Sequence, residues 1–199
     1  YKIASFEITD IPLIKYVASK MKPVILSTGI ASKSDIELAI NTIRSTGNEN
    51  ITLLKCTSSY PAPLSETNLT MIDQFRKDFN LEVGLSDHTK GYMAPIVAVS
   101  LGAKLIEKHF ILDKGIGGPD ASFSLDFGEF KKMVNHIRDA ERSLGVKSYD
   151  LTPKQIKGRD FSRSLYVVRN VKTGDVISSK NVKSIRPGFG LHPKYLDKI

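Results

Sequence analysis

Short apolar runs alternate with amphipathic stretches through the first two thirds of the sequence. The runs have the length of buried strands, and the stretches between them repeat apolar residues at helical spacing. The predicted strands cover residues 2–5, 24–27, 51–56, 81–85 and 104–110. The predicted helices cover residues 11–20, 32–46, 68–80, 92–101 and 127–144. Five strand–helix units in this order predict parallel strands joined by helical crossovers.

The last of these helices carries an expectation about packing. Its apolar residues recur at the spacing of one helix face, which we expect to lie against the core. The residues on that face are Phe130, Val134, Ile137 and Leu144.

The sheet can close in two ways, as a doubly wound open sheet or as a (β/α)8 TIM barrel. No Gly-x-Gly-x-x-Gly sequence follows any predicted strand, which argues against a dinucleotide-binding open sheet. Polar residues follow every strand, at the end where a barrel builds its active site. They are Ser5, Glu7, Ser27, Thr28, Thr57, Ser58, Ser86, His88 and His109. A barrel has eight strands, so we expect this α/β chain to hold the five C-terminal units and to lack the N-terminal part.

The last third of the sequence has a different pattern. Residues 145–160 have the composition of a linker, with a short helix that starts at Pro153. Residues 161–199 form a small β-rich module, because short predicted strands at 164–169 and 182–185 are separated by turns. A module of this size is marginal for independent folding, so we expect it to pack on something larger. Residues 1–144 make up the partial barrel.

The composition is that of a soluble globular protein, with 41% hydrophobic and 25% charged residues. The longest apolar runs are too short to span a bilayer, and the first residues lack the pattern of a secretion signal. Cys56 is the single cysteine, which excludes an internal disulfide framework. These features predict a cytoplasmic protein.

The net charge of +8 comes entirely from the C-terminal part of the chain. Residues 1–144 hold 17 Lys+Arg and 17 Asp+Glu, whereas residues 145–199 hold 12 and 4. The basic residues are spread among apolar ones and form no run, which favours a solvated surface over a nucleic-acid patch. A third interpretation is that this part covers an anionic substrate site.

Two histidines follow neighbouring predicted strands. His88 comes directly after one strand, and His109 ends the next. Because neighbouring strands lie about 4.8 Å apart, residues at their carboxyl ends can reach one ion. Neutral imidazoles are good ligands for divalent first-row metals, and two of them leave positions open for substrate. The alternative is that each histidine has only a structural role; the equivalent positions of the pair favour a shared metal site.

Small donors and one ammonium group surround the same strand ends. Such groups suit a phosphate and a carboxylate, although each serine or threonine alone fits ordinary helix capping. This set consists of Lys2, Ser5, Ser27, Thr28, Ser58 and Ser86.

Three further residues are candidates for substrate contacts. Glu7 is expected to face the same opening, as a base or as an acceptor for a sugar hydroxyl, or else to be a surface charge. Asp120 lies in a tight loop after the last strand, which places it near His109 unless it serves only the local backbone. Tyr60 either stacks on a sugar or simply packs.

In these segments the sequence resembles the sialic-acid synthase family, and most of all its pseudaminic acid branch. Each matching segment alone is weak, but together they are specific and run in family order along nearly the whole chain. They are residues 2–7, 27–29, 54–61, 84–89, 107–110, 118–120 and 186–188. The resemblance implies a TIM barrel, a linker and a small antifreeze-like (SAF) domain of the β-clip type. It also implies a domain-swapped homodimer in which that domain covers the barrel of the partner.

The resemblance also implies roles for individual residues. His88 and His109 are the metal ligands, for Mn²⁺ or Mg²⁺, and Glu7 is the candidate base. Phosphoenolpyruvate is expected to be bound by Lys2, Ser5, Ser27, Ser58 and Ser86. The amino sugar is expected to be bound by Glu7, Tyr60 and Asp120, and Arg186 is expected to reach into the active site of the partner and contact an acyl group of the sugar. The implied reaction condenses phosphoenolpyruvate with 2,4-diacetamido-2,4,6-trideoxy-altrose and releases phosphate by C–O cleavage.

Two alternatives to this function remain open. N-acetylneuraminate and legionaminate synthases share the core motifs, so the sugar is not fixed. A different class, a non-catalytic carbohydrate-binding fragment, has no need of a metal at the strand ends, and the histidine pair therefore distinguishes it from a synthase.

Overall fold

A computed structural model describes all residues, Tyr1–Ile199, as two compact units. The first unit is Tyr1–Gly145 and the second is Val146–Ile199. In neither unit is there a helix with the length and apolar character needed to cross a membrane.

The first unit is a parallel sheet with helices in its connections. Its strands are β1 (Lys2–Ile3), β2 (Val24–Ser27), β3 (Ile51–Cys56), β4 (Glu82–Asp87) and β5 (Ile106–Lys108). Its helices are α1 (Ile11–Ala18), α2 (Lys33–Arg44), α3 (Met71–Phe79), α4 (Met93–Ser100) and α5 (Phe127–Leu144). The α/β class with five strand–helix units, predicted from the sequence, is confirmed.

The strands follow one another in space in the same order as in the sequence. Each pairs in parallel with the next, from β1 to β5, and the order never reverses as it does in a doubly wound sheet. A parallel bridge between Phe110 and Leu125 continues the same progression beyond β5. This arrangement is a half-barrel.

Alternation along each strand separates an apolar face from a polar one. The side that meets the helices carries residues such as Leu26, Leu53 and Leu85, all at most 3% exposed, in one continuous core with α1, α2, α3 and α4. The other side carries Ser27 and Ser86 near the carboxyl ends of their strands. The apolar side therefore holds the unit together, and the polar side is left for chemistry.

Helix starts in the first unit follow from local side-chain caps. Ser32 accepts a hydrogen bond from the Asp35 N–H, and Asp35 in turn accepts one from the Ser32 N–H. Asp126 and Glu129 make the same reciprocal pair at the start of α5. These capping boxes satisfy backbone donors that the first turn of a helix leaves free.

The packing of α5 differs from the expectation in part. Met133 and Ile137 are buried against Val99 of α4, whereas Val134 is 38% and Leu144 55% exposed, so the prediction for these last two residues is wrong. The reason is geometric. The buried stripe runs through positions 133 and 137, and α5 has 18 residues against the 8 of α4, so its end extends beyond its partner.

The second unit is small and contains little regular secondary structure. It contains α6 (Pro153–Gly158) and two antiparallel strands, β6 (Ser164–Val167) and β7 (Val182–Ile185). Leu165 and Val182 are its buried apolar residues. The predicted division at residue 160 and the β-clip assignment stay predictions.

One glycine in the first unit is required by a close backbone approach. A Cβ on Gly84 of β4 would lie 2.3 Å from the Leu105 carbonyl oxygen. We expect Gly84→Ala to lower the free energy of unfolding by about 1–3 kcal/mol, the range for overpacked interiors, because the backbone has to move. Urea unfolding followed by circular dichroism measures this loss.

The matched control is Gly128→Ala in α5, where the nearest atom to the new Cβ is Asp126 Oδ1 at 3.4 Å. Alanine suits a helix, so the control is expected to show no loss. Equal stability of both variants and the parent would contradict the close approach at Gly84.

Candidate active site

The two histidines meet at the carboxyl ends of β4 and β5. Asp87 and Lys108, the last residues of these strands, are direct partners in the ladder, so the residues after them emerge side by side. The ring centroids of His88 and His109 are 5.2 Å apart and their planes are inclined by 70°. The expected proximity of the rings is therefore present, and their role as metal ligands stays a prediction.

The tautomer of His88 is fixed by its surroundings. Its Nδ1 lies 3.0 Å from the carbonyl oxygen of Thr57. Because a carbonyl only accepts, Nδ1 carries the proton and Nε2 keeps a free lone pair. A hydrogen bond of this kind orients metal-bound imidazoles in many proteins.

His109 has an acidic neighbour. Its Nδ1 is 3.5 Å from Asp120 Oδ2, as the position of the loop in the sequence led us to expect. The loop is held by its own backbone, since the Asp120 carbonyl accepts hydrogen bonds from the N–H and the hydroxyl of Ser124. Asp120 is half exposed, so its carboxylate is free to meet a ligand from solvent.

Two aromatic rings pack against the histidines. The Tyr60 ring lies 4.3 Å from that of His88, and the Phe123 ring lies 5.0 Å from that of His109, centroid to centroid. Partial burial raises the pKa of the Tyr60 hydroxyl, and the neighbouring Cys56 adds to the effect. The two rings therefore cover part of the histidine pair.

A compact hydroxyl cluster lies next to the histidines. A Cβ on Gly29 would stand 2.0 Å from Ser58 Oγ and 2.8 Å from Ser5 Oγ, so glycine allows three chain segments to converge. The Gly29 N–H donates to Ser5 Oγ over 2.9 Å. Ser27 Oγ is buried without any hydrogen-bond partner, the sole side-chain polar atom of the chain in that state. An orphaned buried hydroxyl is costly unless a ligand completes it.

Charged groups complete the polar face. The Lys2 ammonium lies 3.5 Å from Glu107 Oε2, and the Ser86 hydroxyl donates to Glu107 Oε1 over 3.2 Å. Glu107 therefore connects the first and fourth strands of the half-barrel. It leaves Lys2 partly exposed and able to meet an anion.

Two predicted residues stand outside the contacts of this cluster: Glu7 within the first unit, and Arg186 in the second compact unit. The Glu7 carboxylate accepts a hydrogen bond from the Ala4 N–H over 2.8 Å, closing a short 3₁₀ turn, Ser5–Glu7, and its side chain is exposed. Arg186 belongs to the second unit, where it follows β7 and is exposed. The Glu7 carboxylate thus binds its own turn and makes no hydrogen bond to either histidine.

Burial and hydrogen bonds set the protonation of this site. Burial opposes charge on His88, but contacts with the Cys56 thiol and the Thr57 carbonyl outweigh it and raise the pKa of the imidazole. Burial likewise opposes the Cys56 thiolate, yet His88 and Ser5 lower the pKa of the thiol. Burial, followed by the proximity of His88, lowers the pKa of His109.

Sequence reasoning missed three residues of the site. Glu107 and Cys56 each stand two positions before a predicted residue, His109 and Ser58, on the same face of their strands. The period of two along a strand is the sequence signal that would have identified Glu107 and Cys56. Phe123 lies in a loop without periodicity and gives no such signal.

Comparisons with known proteins place this geometry among related sequences. The model of the NeuB family matches residues 1–149. The pseudaminic acid synthase of Campylobacter jejuni (strain 81-176) is 48% identical over the whole of this chain, which covers 58% of that protein. The pseudaminic acid synthase of Helicobacter pylori is 45% identical over the whole chain, which covers 59% of it.

A solved structure gives the same result for the fold. The N-acetylneuraminic acid (sialic acid) synthetase of Leptospira borgpetersenii is 34% identical and superposes with a TM-score of 0.74. The match covers 79% of this chain and 55% of that one. The chain thus spans less than two thirds of the length of each protein named.

The two histidines are expected to titrate on opposite sides of the ordinary histidine pKa of about 6.5. His88 should lose its proton above this value, because its contacts with Cys56 and Thr57 outweigh burial. His109 should lose its proton below it, because burial opposes the charged ring and a proton on His88 repels a second one. Nitrogen-15 NMR of the imidazoles in metal-free protein measures both transitions. His88→Gln should raise the pKa of His109, and a shared transition at one pH would contradict this picture.

Proposed function

The chain belongs to the NeuB family, and we propose that it is part of a pseudaminic acid synthase. The proposed reaction joins phosphoenolpyruvate to 2,4-diacetamido-2,4,6-trideoxy-altrose and releases phosphate by C–O cleavage. One observation carries this proposal: a pair of imidazoles beside a hydroxyl cluster with an orphaned buried member. Identity of 45–48% to two pseudaminic acid synthases supports the branch.

The histidine pair suits a divalent metal, Mn²⁺ or Mg²⁺. Once His88 has lost its proton, the hydrogen bond to Thr57 leaves the Nε2 lone pair free for a metal, and burial, which lowers the pKa of His109, favours the neutral form of that ring. The chain has no cluster of three or more His, Cys, Asp or Glu side chains arranged for a metal, so the proposed site depends on these two imidazoles alone. When bound, such an ion supplies Lewis-acid and template chemistry.

Phosphoenolpyruvate needs donors for a phosphate and a carboxylate. We assign this role to the polar face near the strand ends, where hydroxyls and one ammonium are concentrated. The residues are Lys2, Ser5, Ser27, Ser58 and Ser86. The Ser27 hydroxyl supports the assignment most directly, because an anion would give it the partner that the free protein does not.

The amino sugar is assigned to the opposite side of the histidines. Asp120 beside His109 is suited to accept a sugar hydroxyl, and Tyr60 beside His88 offers a ring face. The second unit is proposed to be an antifreeze-like domain of a domain-swapped homodimer. In that arrangement Arg186 contacts a sugar acyl group in the site of the partner, which gives the basic C-terminal part a purpose.

The reaction follows from the order of the two substrates. C3 of phosphoenolpyruvate forms a bond to the aldehyde carbon of the sugar, the aldehyde oxygen takes the displaced electron pair and a proton to become a hydroxyl, and positive charge develops at C2. Water adds at C2 and gives one proton to a base. The C–O bond to phosphate then breaks, the second water proton leaves, and C2 becomes a ketone. Holding the two reactants in contact supplies much of the catalysis. Glu7 is one candidate base, and Glu107, which contacts Lys2 and Ser86, is the second.

Metal-dependent release of phosphate tests the proposed function. With Mn²⁺ we expect release from phosphoenolpyruvate only with an acceptor sugar, and the altrose derivative should outperform N-acetylmannosamine. His88→Ala or His109→Ala should lower the rate roughly 100-fold or more, the scale for loss of a catalytic group. Phosphate is measured with and without EDTA.

The control variant is His136→Ala on α5, whose ring stacks on Tyr92 at 5.6 Å outside the site. It is expected to retain the parent rate. Release that EDTA does not affect, or no release with any candidate sugar, would reject the synthase. Preference for N-acetylmannosamine or for the legionaminate precursor would move the protein to another branch.

Ser27→Ala is expected to increase the stability of the protein and to weaken its binding of phosphoenolpyruvate. Removing the orphaned hydroxyl should raise the free energy of unfolding by about 1 kcal/mol, because a desolvated polar group disappears. It should also raise the KM for phosphoenolpyruvate by about tenfold, the equivalent of one hydrogen bond to a charged group. Thermal unfolding and steady-state kinetics measure the two effects.

The comparison variant is Ser86→Ala, whose hydroxyl already donates to Glu107. That variant should lose stability and substrate affinity together. An unchanged KM in Ser27→Ala would show that the hydroxyl does not contact phosphoenolpyruvate.

A further inference from the structure

A fully buried ion pair lies directly behind the two histidines. The Lys108 ammonium is 2.7 Å from Asp87 Oδ2, and the two side chains are 0% and 1% exposed. They are direct partners in the ladder between β4 and β5, and they point toward the helices. On that face the preceding residues, Leu85 and Ile106, pack into the apolar core. The pair thus stands where an apolar pair is the normal choice.

Such a pair is a poor device for stability alone. Removing two charges from water costs several kcal/mol per ion, and well-packed apolar residues at the same place are often as stabilising. Every other salt bridge of the chain has at least one side chain that is more than a third exposed. The cost of the Asp87–Lys108 pair therefore calls for a geometric reason.

That reason is the turn that carries His88. Asp87 accepts hydrogen bonds from the Thr89 N–H over 3.0 Å and from the Thr89 hydroxyl over 3.2 Å. The Lys108 ammonium also donates to the Thr89 carbonyl. These contacts enclose His88 between two fixed neighbours, while the His88 carbonyl accepts from the Ala62 N–H over 3.0 Å.

The same pair fixes the position of His109. Lys108 is the residue before it, so one ammonium connects the backbone that carries His109 to the turn that carries His88. The carbonyl of His109 is held separately by the Leu125 N–H over 2.9 Å. The two imidazoles thus emerge from one buried polar network and not from independent loops.

We infer that Asp87 and Lys108 are positioning residues, whose buried ion pair sets the separation of the two imidazoles for one divalent ion. This inference rests on the proposed function, because the ion is part of that proposal. Neither residue reaches the site; each acts through the histidine that follows it. Partners behind metal ligands commonly change metal affinity 10–100-fold when they are altered.

The decisive variant is Asp87→Asn combined with Lys108→Met in the full chain. Asparagine keeps an acceptor for the Thr89 N–H and adds an amide donor, methionine keeps the length of lysine, and no unpaired charge is buried. We expect an unfolding midpoint close to that of the parent, but Mn²⁺ binding weaker by about tenfold or more. Calorimetry and electron paramagnetic resonance of free Mn²⁺ measure the affinity without any assay of activity.

Two further variants sharpen the comparison. Asp87→Glu keeps both charges but adds a methylene, which displaces the carboxylate from its present contact with Lys108. The protein should still fold, and its Mn²⁺ binding should be weaker. This variant decides the question if the double variant does not fold. Arg138→Met with Glu141→Leu removes an exposed pair on α5 and should leave Mn²⁺ affinity unchanged. The inference would be overturned if the folded double variant bound Mn²⁺ as tightly as the parent. If only Asp87→Glu folds, the same result in that variant would overturn it.

A structural readout separates this inference from the proposed function. If the parent protein binds no Mn²⁺, the proposed metal site is wrong. The positions of the His88 and His109 rings then still show whether the Asp87–Lys108 ion pair holds them in place. A crystal structure of the metal-free double variant should show the rings displaced from their 5.2 Å separation. Rings that stay at that distance would overturn the positioning role.

Discussion

The architecture of the first unit depends on one constraint, the period of two along parallel strands that lie in register. Most strand residues that face the helices are apolar, and the polar residues of the candidate site lie on the opposite side; the buried pair Asp87 and Lys108 is the exception. On β4 this separates Val83 and Leu85 from Ser86, and on β5 it separates Ile106 from Glu107. The same strands therefore form the core on one side and carry the candidate site residues on the other. A shift of one residue in the pairing register of a strand would exchange the two faces.

Much of this arrangement could be predicted because strand and helix signals were strong and local. The bounds predicted for β2, β3 and α5 coincide with the structure, since each has a clear apolar run or a capped start. The proximity of His88 and His109 follows from strand spacing alone. Neighbouring strands need no long-range information beyond their order.

The remainder could not be predicted because it depends on what lies opposite. Val134 and Leu144 have the spacing of a buried face, but each is exposed for a reason that the pattern of α5 does not contain. Val134 lies beside the stripe that meets α4, and Leu144 lies beyond the end of α4. Glu7 follows its strand as an active-site residue would, yet a 3₁₀ turn directs its carboxylate to the Ala4 N–H. In both cases the local pattern placed the residue in its element but contained no information about the group that the side chain meets.

The charge of the chain is divided unevenly between the two units. The first unit is neutral overall, and its polar face offers the Lys2 ammonium, which is already shared with Glu107. Under the proposed function, phosphoenolpyruvate brings a phosphate and a carboxylate to this face, and one partly neutralised lysine offsets only part of that negative charge. A divalent cation at the imidazole pair would supply positive charge that the first unit lacks. The excess of the chain, 12 basic against 4 acidic residues, lies in residues 145–199, and the proposed cover of the site would add this charge.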